Sequence, residues 1–283
     1  MRALVRSALV VGLALALPLS AQAPTGGHVR PGSPAPDQLA APVPFGPGER
    51  FEFQVKLGMF SAGSGFMEVA GVDTVRGRPA YRLAMNISGG MLFAKVNDKY
   101  QSWLDTRALN SLHFISDVKE VGYKSFREFA IYPEEKRWQQ LDENRAETMD
   151  TDAPLDELSY IYWLRTMPLQ VGDTYTVPRY FQRSGNPVVI RVVRKEVKEV
   201  PAGTFNTIVV QPIIQTKGLF SQGGEAEIFL TDDADRQLVY LRSKIPVVGS
   251  VTLHLRRVVR GTPLNARWTG APTDPVAGSA QVR

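Results

Sequence analysis

The sequence lacks cysteine altogether, and its 283 residues include only three histidines. Without cysteine there can be no disulfide bonds, no cysteine-based metal sites and no lipid-modified cysteine of a bacterial lipoprotein. Neither a GxSxG nucleophile elbow nor an HExxH helix occurs. The sequence therefore indicates no catalytic residues, no metal ligands and no cofactor.

The N-terminus has the features of a secretory signal peptide. Arg2 and Arg6 precede an apolar run over residues 8–17, and the small residues 21–23 follow as a cleavage site. That run is about half of the twenty residues that a membrane-spanning helix needs. We expect residues 1–23 to be removed, leaving an exported protein, in the periplasm, with no transmembrane segment.

Composition divides the rest of the chain into three parts. Residues 24–44 are rich in Pro, Gly and Ala and predict a disordered linker. Residues 45–260 are long enough for a single β-rich domain, whereas residues 261–283 show no apolar periodicity and predict a disordered tail.

Most of the domain has the two-residue period of half-buried strands. In residues 49–56, Phe51, Phe53 and Val55 alternate with polar residues. Further strands are predicted over residues 124–132, 137–141, 188–200 and 249–259. One face of these strands is charged and the other apolar, which is typical of a sheet with one solvated and one covered face.

One helix is predicted, over residues 154–168. It has Pro154 in its first turn, apolar residues at three- and four-residue spacing, and Pro168 at its end. The expected fold is therefore mainly β: a curved antiparallel sheet or incompletely closed β-barrel, with this helix packed on its concave face.

The formal net charge is +5. Basic residues cluster in residues 191–195 and 254–260, where they alternate with apolar residues as on a solvated strand face. The alternative is attraction to anionic envelope lipid or glycan. Export argues against nucleic acid as a partner.

Candidate chemical groups are few. His28 falls in the linker, while His113 and His254 each lie between apolar residues of a strand. Residues 232–235, with three aspartates, fit a polar β-turn better than a calcium loop. Paired carboxylates for glycan cleavage remain open, because their separation depends on the fold.

Aromatic residues on the helix, on a strand and in two loops suggest two roles. Core packing is one, because aromatic side chains bury large areas. The other is an apolar groove between sheet and helix that holds a lipid or glycan. The candidate groove residues are Tyr100, Trp103, Tyr162, Trp163, Phe60 and Phe220.

Several short segments, in this order, resemble the exported bacterial domain-of-unknown-function family 3108. They are residues 48–53, 60–63, 100–105, 155–165, 168–172 and 203–205. The resemblance implies an envelope protein of antiparallel β-structure, with no established activity and no catalytic residues to transfer.

We therefore expect a non-enzymatic envelope protein that binds an apolar or amphipathic ligand. The alternatives are an envelope glycan hydrolase that uses paired carboxylates and a structural or assembly partner with an exposed edge strand.

Overall fold

The computed structural model describes residues 29–31, 40–91, 94–120, 122–213, 226–245, 249–265 and 280–282. These residues form one antiparallel sheet and one α-helix, α1 (Glu157–Leu164), which confirms the predicted fold class. The strands are β1 (Val29–Pro31), β2 (Arg50–Leu57), β3 (Phe60–Val75), β4 (Arg78–Met91), β5 (Ala94–Asp105), β6 (Ser111–Glu120), β7 (Tyr123–Tyr132), β8 (Arg137–Gln140), β9 (Arg145–Thr148), β10 (Thr174–Val177), β11 (Val188–Val200), β12 (Gly203–Ile213), β13 (Glu227–Thr231), β14 (Leu238–Ile245), β15 (Gly249–Val259) and β16 (Ala280–Val282).

The sheet consists of two meanders joined side by side. Strands β2 to β9 pair in chain order, β10 to β15 do likewise, and β15 pairs with β2. The short strand β16 extends the sheet beyond β10, and β1 pairs with β3. Because β9 does not pair with β10 or β16, the sheet stays open. The chain passes from β9 to β10 through α1, so the helix lies in the connection between the two meanders.

A single core joins both meanders to the helix. Phe53 of β2, Leu83 of β4, Ile190 of β11, Leu241 of β14 and Ile161 of α1 belong to one buried apolar cluster. Strands that lie this far apart in a flat sheet cannot share a core. The sheet therefore curves, with α1 on its concave face against β4 and β5.

The helix is shorter than the sequence predicted. Asp156 is its N-cap, since its carboxylate accepts hydrogen bonds from the backbone N–H groups of Leu158 and Ser159. Residues 165–167 instead bond to carbonyls three positions earlier, which tightens and ends the helix. In the part of the chain that the structure describes, no helix is long and apolar enough to cross a bilayer.

Both ends of the packed domain extend beyond the predicted boundaries. Residues 40–44 were predicted as linker, yet Val43 is fully buried in the core. Residues 261–265 were predicted as tail, yet Asn265 Nδ2 donates a 2.7 Å hydrogen bond to the Ala40 carbonyl. The two segments anchor each other, and this pairing is not visible in either segment alone. The predicted signal peptide and the linker at 24–28 and 32–39 lie outside the described residues, as does the tail at 266–279.

A buried ion pair fixes the C-terminal end of the helix. Arg165 donates to both carboxylate oxygens of Glu49, at 2.6 and 2.9 Å. It also donates to the backbone carbonyls of Arg236 and Asp235, at 3.0 and 3.1 Å. This one side chain thus connects the helix, the entry to β2 and the β13–β14 turn.

Candidate functional site

The predicted groove beside the helix is filled by the core. Tyr162 and Trp163 have no exposed surface. The Tyr162 ring packs edge-on against Phe45, with centroids 5.0 Å apart, and the Arg179 guanidinium lies 4.8 Å from the Trp163 ring centroid. Both helix aromatics are therefore core residues, because no open space borders them.

The other four candidate groove residues lie elsewhere. Tyr100 is half-buried and packs on the core, whereas Trp103 lies on the outer face of β5, where its Nε1 donates to Asp73 at 2.9 Å. Residues three apart on a strand point to opposite faces, which explains the separation. Phe60 is 62% exposed at the β2–β3 turn, and Phe220 lies outside the described residues. The described candidates therefore form no common groove.

A polar cluster surrounds the N-terminus of α1. Asp156 is fully buried and accepts hydrogen bonds from the hydroxyls of Ser102 and Ser111, at 2.6 and 2.7 Å. Ser159 completes the capping box by accepting from the Asp156 backbone N–H. Burial raises the pKa of Asp156, and the hydrogen bonds from Ser102, Ser159 and Ser111 act in the opposite direction. The cluster is closed to solvent and anchors the helix on β5 and β6.

Glu157 adds a second carboxyl group at this end of the helix. Burial raises its pKa to about 7, and the neighbouring Asp156 contributes in the same direction. Its Oε1 accepts a 2.6 Å hydrogen bond from the Tyr180 hydroxyl, whereas its buried Oε2 has no partner. Glu157 therefore changes its charge near neutral pH.

The two described histidines, His113 and His254, both have lowered pKa values. His113 is buried against Trp103, with its Nε2 3.0 Å from Glu128, and desolvation lowers its pKa despite the opposing effect of that carboxylate. Burial and the cations of Lys56 and Lys198 lower the pKa of His254 to about 4. Its imidazole is therefore neutral at neutral pH.

The acidic segment 232–235 is a hydrogen-bonded turn. The Asp233 carboxylate accepts from the Thr231 hydroxyl and from the backbone N–H groups of Asp235 and Arg236. Asp232 pairs with Lys195 at 2.7 Å. These contacts agree with the predicted polar turn. Across the residues that the structure describes, no three His, Cys, Asp or Glu side chains are grouped to hold a metal ion.

An open pocket lies on the inner face of β7, β8 and β9, next to residues 182–184. Its volume is about 520 Å³. Phe129 and Trp138 lie at its base, with ring centroids 5.4 Å apart, and both contact Phe181. The remaining lining is polar: Arg127, Gln140, Glu143, Arg145, Glu147, Gln182, Arg183 and Ser184. We call this set of ten lining residues the β7–β9 pocket.

Two arginines of the β7–β9 pocket form ion pairs at the protein surface. Arg145 forms an ion pair with Glu147, and Arg183 pairs with Asp150 at 2.8 Å. Three arginines face two glutamates in the lining, which leaves one excess positive charge. The charge of Arg127 also acts on Glu157, where it opposes the rise in pKa that burial causes.

A family model for a protein of unknown function, DUF3108, matches residues 52–256. The chain belongs to this family. No curated protein and no solved structure matches the chain. The DUF3108 match begins in β2 and ends in β15, so it covers both meanders, the helix and the β7–β9 pocket.

Sequence reasoning did not identify the β7–β9 pocket in this DUF3108 domain. The alternation in residues 137–141 predicted a strand, but β9 (Arg145–Thr148) is short, charged and exposed along its length. Its position beside residues 182–184 is a long-range contact. The available signal was the density of arginine and glutamate in residues 127–147, which we interpreted as a solvated face.

Proposed function

We propose that this DUF3108 protein is a non-enzymatic, exported envelope protein that binds an acidic glycan in the β7–β9 pocket. The observation that carries the proposal is the lining itself, in which three arginines, two glutamates, two glutamines and a serine share one opening. This revises the predicted position beside the helix, where the space is filled.

The lining favours a sugar over an acyl chain. An acyl chain requires an apolar pocket, whereas hydroxyl and carboxyl groups require the donors and acceptors that these side chains supply. Arginine binds carboxylates through two parallel hydrogen bonds, so Arg127, Arg145 and Arg183 suit an acidic substituent.

The N-terminal sequence supports an envelope location for the ligand. Residues 1–23 have the charge, apolar run and small residues of a secretory signal. Glycans with acidic groups are abundant outside the inner membrane, so export would bring the protein to them. Fusion of residues 1–23 to a reporter that is active only after export tests this part directly.

The binding test compares two double variants that remove the same charge. Arg145→Gln with Arg183→Gln should weaken the binding of acidic oligosaccharides from bacterial envelope by at least about tenfold, as charge-assisted hydrogen bonds are lost. The matched control is Arg107→Gln with Arg191→Gln, two exposed arginines outside the pocket. Isothermal titration calorimetry measures both.

Equal affinities for the two double variants would contradict the proposed site. Mass spectrometry of material that co-purifies with the native protein provides a second readout. A fatty-acyl lipid without sugar, as the bound species, would overturn the glycan assignment.

A second candidate function is glycan hydrolysis, because Glu143 and Glu147 line the same pocket. Both side chains are exposed, and Glu147 is paired with Arg145. Incubation with envelope oligosaccharides distinguishes the two functions. Cleavage that Glu143→Gln and Glu147→Gln both abolish would establish the hydrolase instead.

A further inference from the structure

Three hairpin turns lie side by side at one end of the sheet. They connect β2 to β3, β4 to β5 and β6 to β7, and β3 to β6 are consecutive neighbours. The register fixes their alignment, since Gly63 pairs with Gly89 and Gly89 with Val96. We call the described residues 56–61, 95–99, 117–120 and 122–126 at this end the hairpin edge.

The hairpin edge exposes large apolar side chains. Met59 is 91% exposed and Phe60 62% at the first turn. Four strands away, Tyr123 is 47% exposed and Phe126 52%. At about 4.8 Å per strand, the first and third turns are roughly 19 Å apart. Apolar groups are thus presented at both sides of the edge.

Lysines accompany these apolar groups on one face. Lys99 pairs with Asp117, and Lys119 pairs with Lys124, so the side chains of each pair lie on the same face of the sheet. Side chains two apart on a strand also share a face, which places Lys95 with Lys99 and Lys119 with Asp117. The four lysines therefore lie together on the outer face. All four are exposed. They form a cationic surface next to the apolar turns.

The carboxylates near the hairpin edge offset only part of this charge. Asp98 is buried, and Asp117 is paired with Lys119 at 2.8 Å. Lys56 adds a fifth lysine beside the first turn, while Glu120 is the remaining acidic residue in the three segments. The three segments therefore contain five lysines and three acidic residues, a net charge of +2.

The turns at the opposite end of the sheet have a different composition. The β7–β8 turn, residues 133–136, contains Glu134 and Glu135, and the β13–β14 turn contains Asp232, Asp233 and Asp235. The hairpin edge therefore differs from these two acidic turns in its lysines and its exposed apolar side chains.

We propose that the hairpin edge docks on an anionic lipid bilayer surface. Met59 and Phe60 enter the headgroup region, and the lysines of the outer face contact lipid phosphates. Exposed aromatic and apolar side chains next to lysines are typical of surfaces that bind at the membrane interface. The occupant follows from charge complementarity, because an apolar protein partner would not require the lysines.

The test measures the partition of the full domain onto vesicles by flotation. We expect binding to vesicles of equimolar phosphatidylglycerol and phosphatidylcholine, and at least tenfold weaker binding to phosphatidylcholine alone. Binding should fall with added salt, since surface charges are screened. Equal binding to the two vesicle types, or none to either, would overturn the proposal.

Two variants locate the contact. Met59→Ser with Phe60→Ser should lower the partition coefficient by at least about tenfold, because each side chain buries apolar area on insertion. The control, Val197→Ser with Leu264→Ser, removes two exposed apolar residues outside the hairpin edge and should bind as the wild type does. Circular dichroism checks that the wild type and both double variants fold. An equal loss of vesicle binding in both variants would contradict the assigned surface.

A charge series gives an independent readout. Lys95→Gln with Lys124→Gln should reduce partitioning about thirtyfold, since each lysine near an anionic surface contributes about 1 kcal/mol. Arg107→Gln with Arg191→Gln is the matched control and should have no effect. Because these lysines lie outside the β7–β9 pocket, loss of glycan binding and loss of vesicle binding are separable.

Discussion

Arg165 and Glu49 form a buried ion pair with two hydrogen bonds, although 116 residues separate them in the chain. Removing one partner of a buried pair leaves the other charge without compensation. Arg165→Met should therefore lower the free energy of unfolding by about 3 to 5 kcal/mol. Urea denaturation followed by circular dichroism measures the change.

The matched comparison for this pair is Arg165→Met with Glu49→Gln. This double variant no longer buries an unpaired carboxylate, so it should be more stable than Arg165→Met alone. If Arg165→Met lowers the free energy of unfolding by less than about 1 kcal/mol, the pair contributes no more than an exposed ion pair does, which would contradict the prediction.

Glu157 predicts a specific dependence of stability on pH. Its pKa of about 7 lies above the ordinary 4.5, so the folded protein holds this proton more tightly than the unfolded chain. Stability from this group is present below pH 4.5 and is lost as the pH rises through 7. Glu157→Gln should remove that loss of stability, which is at most about 3.5 kcal/mol at about 1.4 kcal/mol per pKa unit.

Urea denaturation at several pH values between about 4.5 and 8 tests this dependence. Glu143→Gln, an exposed carboxyl group, provides the control and should follow the wild-type curve. Parallel curves for wild type and Glu157→Gln would show that Glu157 does not titrate in this window.

Two tyrosines provide a contrasting pair of variants. The Tyr162 hydroxyl is buried without a hydrogen-bond partner, whereas the Tyr180 hydroxyl donates to Glu157 at 2.6 Å. Tyr162→Phe should leave stability unchanged or raise it by about 1 kcal/mol, since an unpaired polar group is removed. Tyr180→Phe should lower it by about 1 to 3 kcal/mol. Thermal denaturation in parallel measures both, and the opposite order would contradict the two hydrogen-bond assignments.

Gly63 and Gly89 pair directly across β3 and β4. A Cβ atom on Gly63 would lie 2.1 Å from the Ser88 carbonyl oxygen, which is backbone and cannot rotate away. Gly63→Ala should therefore destabilise the domain by about 1 to 3 kcal/mol. The control, Ser64→Ala at the exposed neighbouring position, should change stability by less than about 0.5 kcal/mol in the same urea experiment.

The period of two in the sequence predicts much of the sheet. Strand β15 occupies Gly249–Val259 and β11 occupies Val188–Val200, as the alternation indicates. A strand buried on one face carries its own signal, because every second residue must be apolar. The extent of α1 was less predictable, since the Asp156 cap starts the helix two residues after Pro154.

Sequence patterns predicted the candidate site poorly, for a physical reason. Trp103 and Trp163 look equivalent in the sequence, yet one lies on the outer face of β5 and the other in the core. The β7–β9 pocket depends on residues 182–184 approaching β8 and β9, and local periodicity does not encode that contact.

The pairing of β15 with β2 has a consequence for folding. The first long strand of the domain remains an open edge until the last long strand has been synthesised, so the sheet has high contact order. The β2–β9 meander must therefore persist with an unprotected edge that other chains can pair with. A chain that stops before Gly249 should aggregate through β2 rather than fold as a smaller domain.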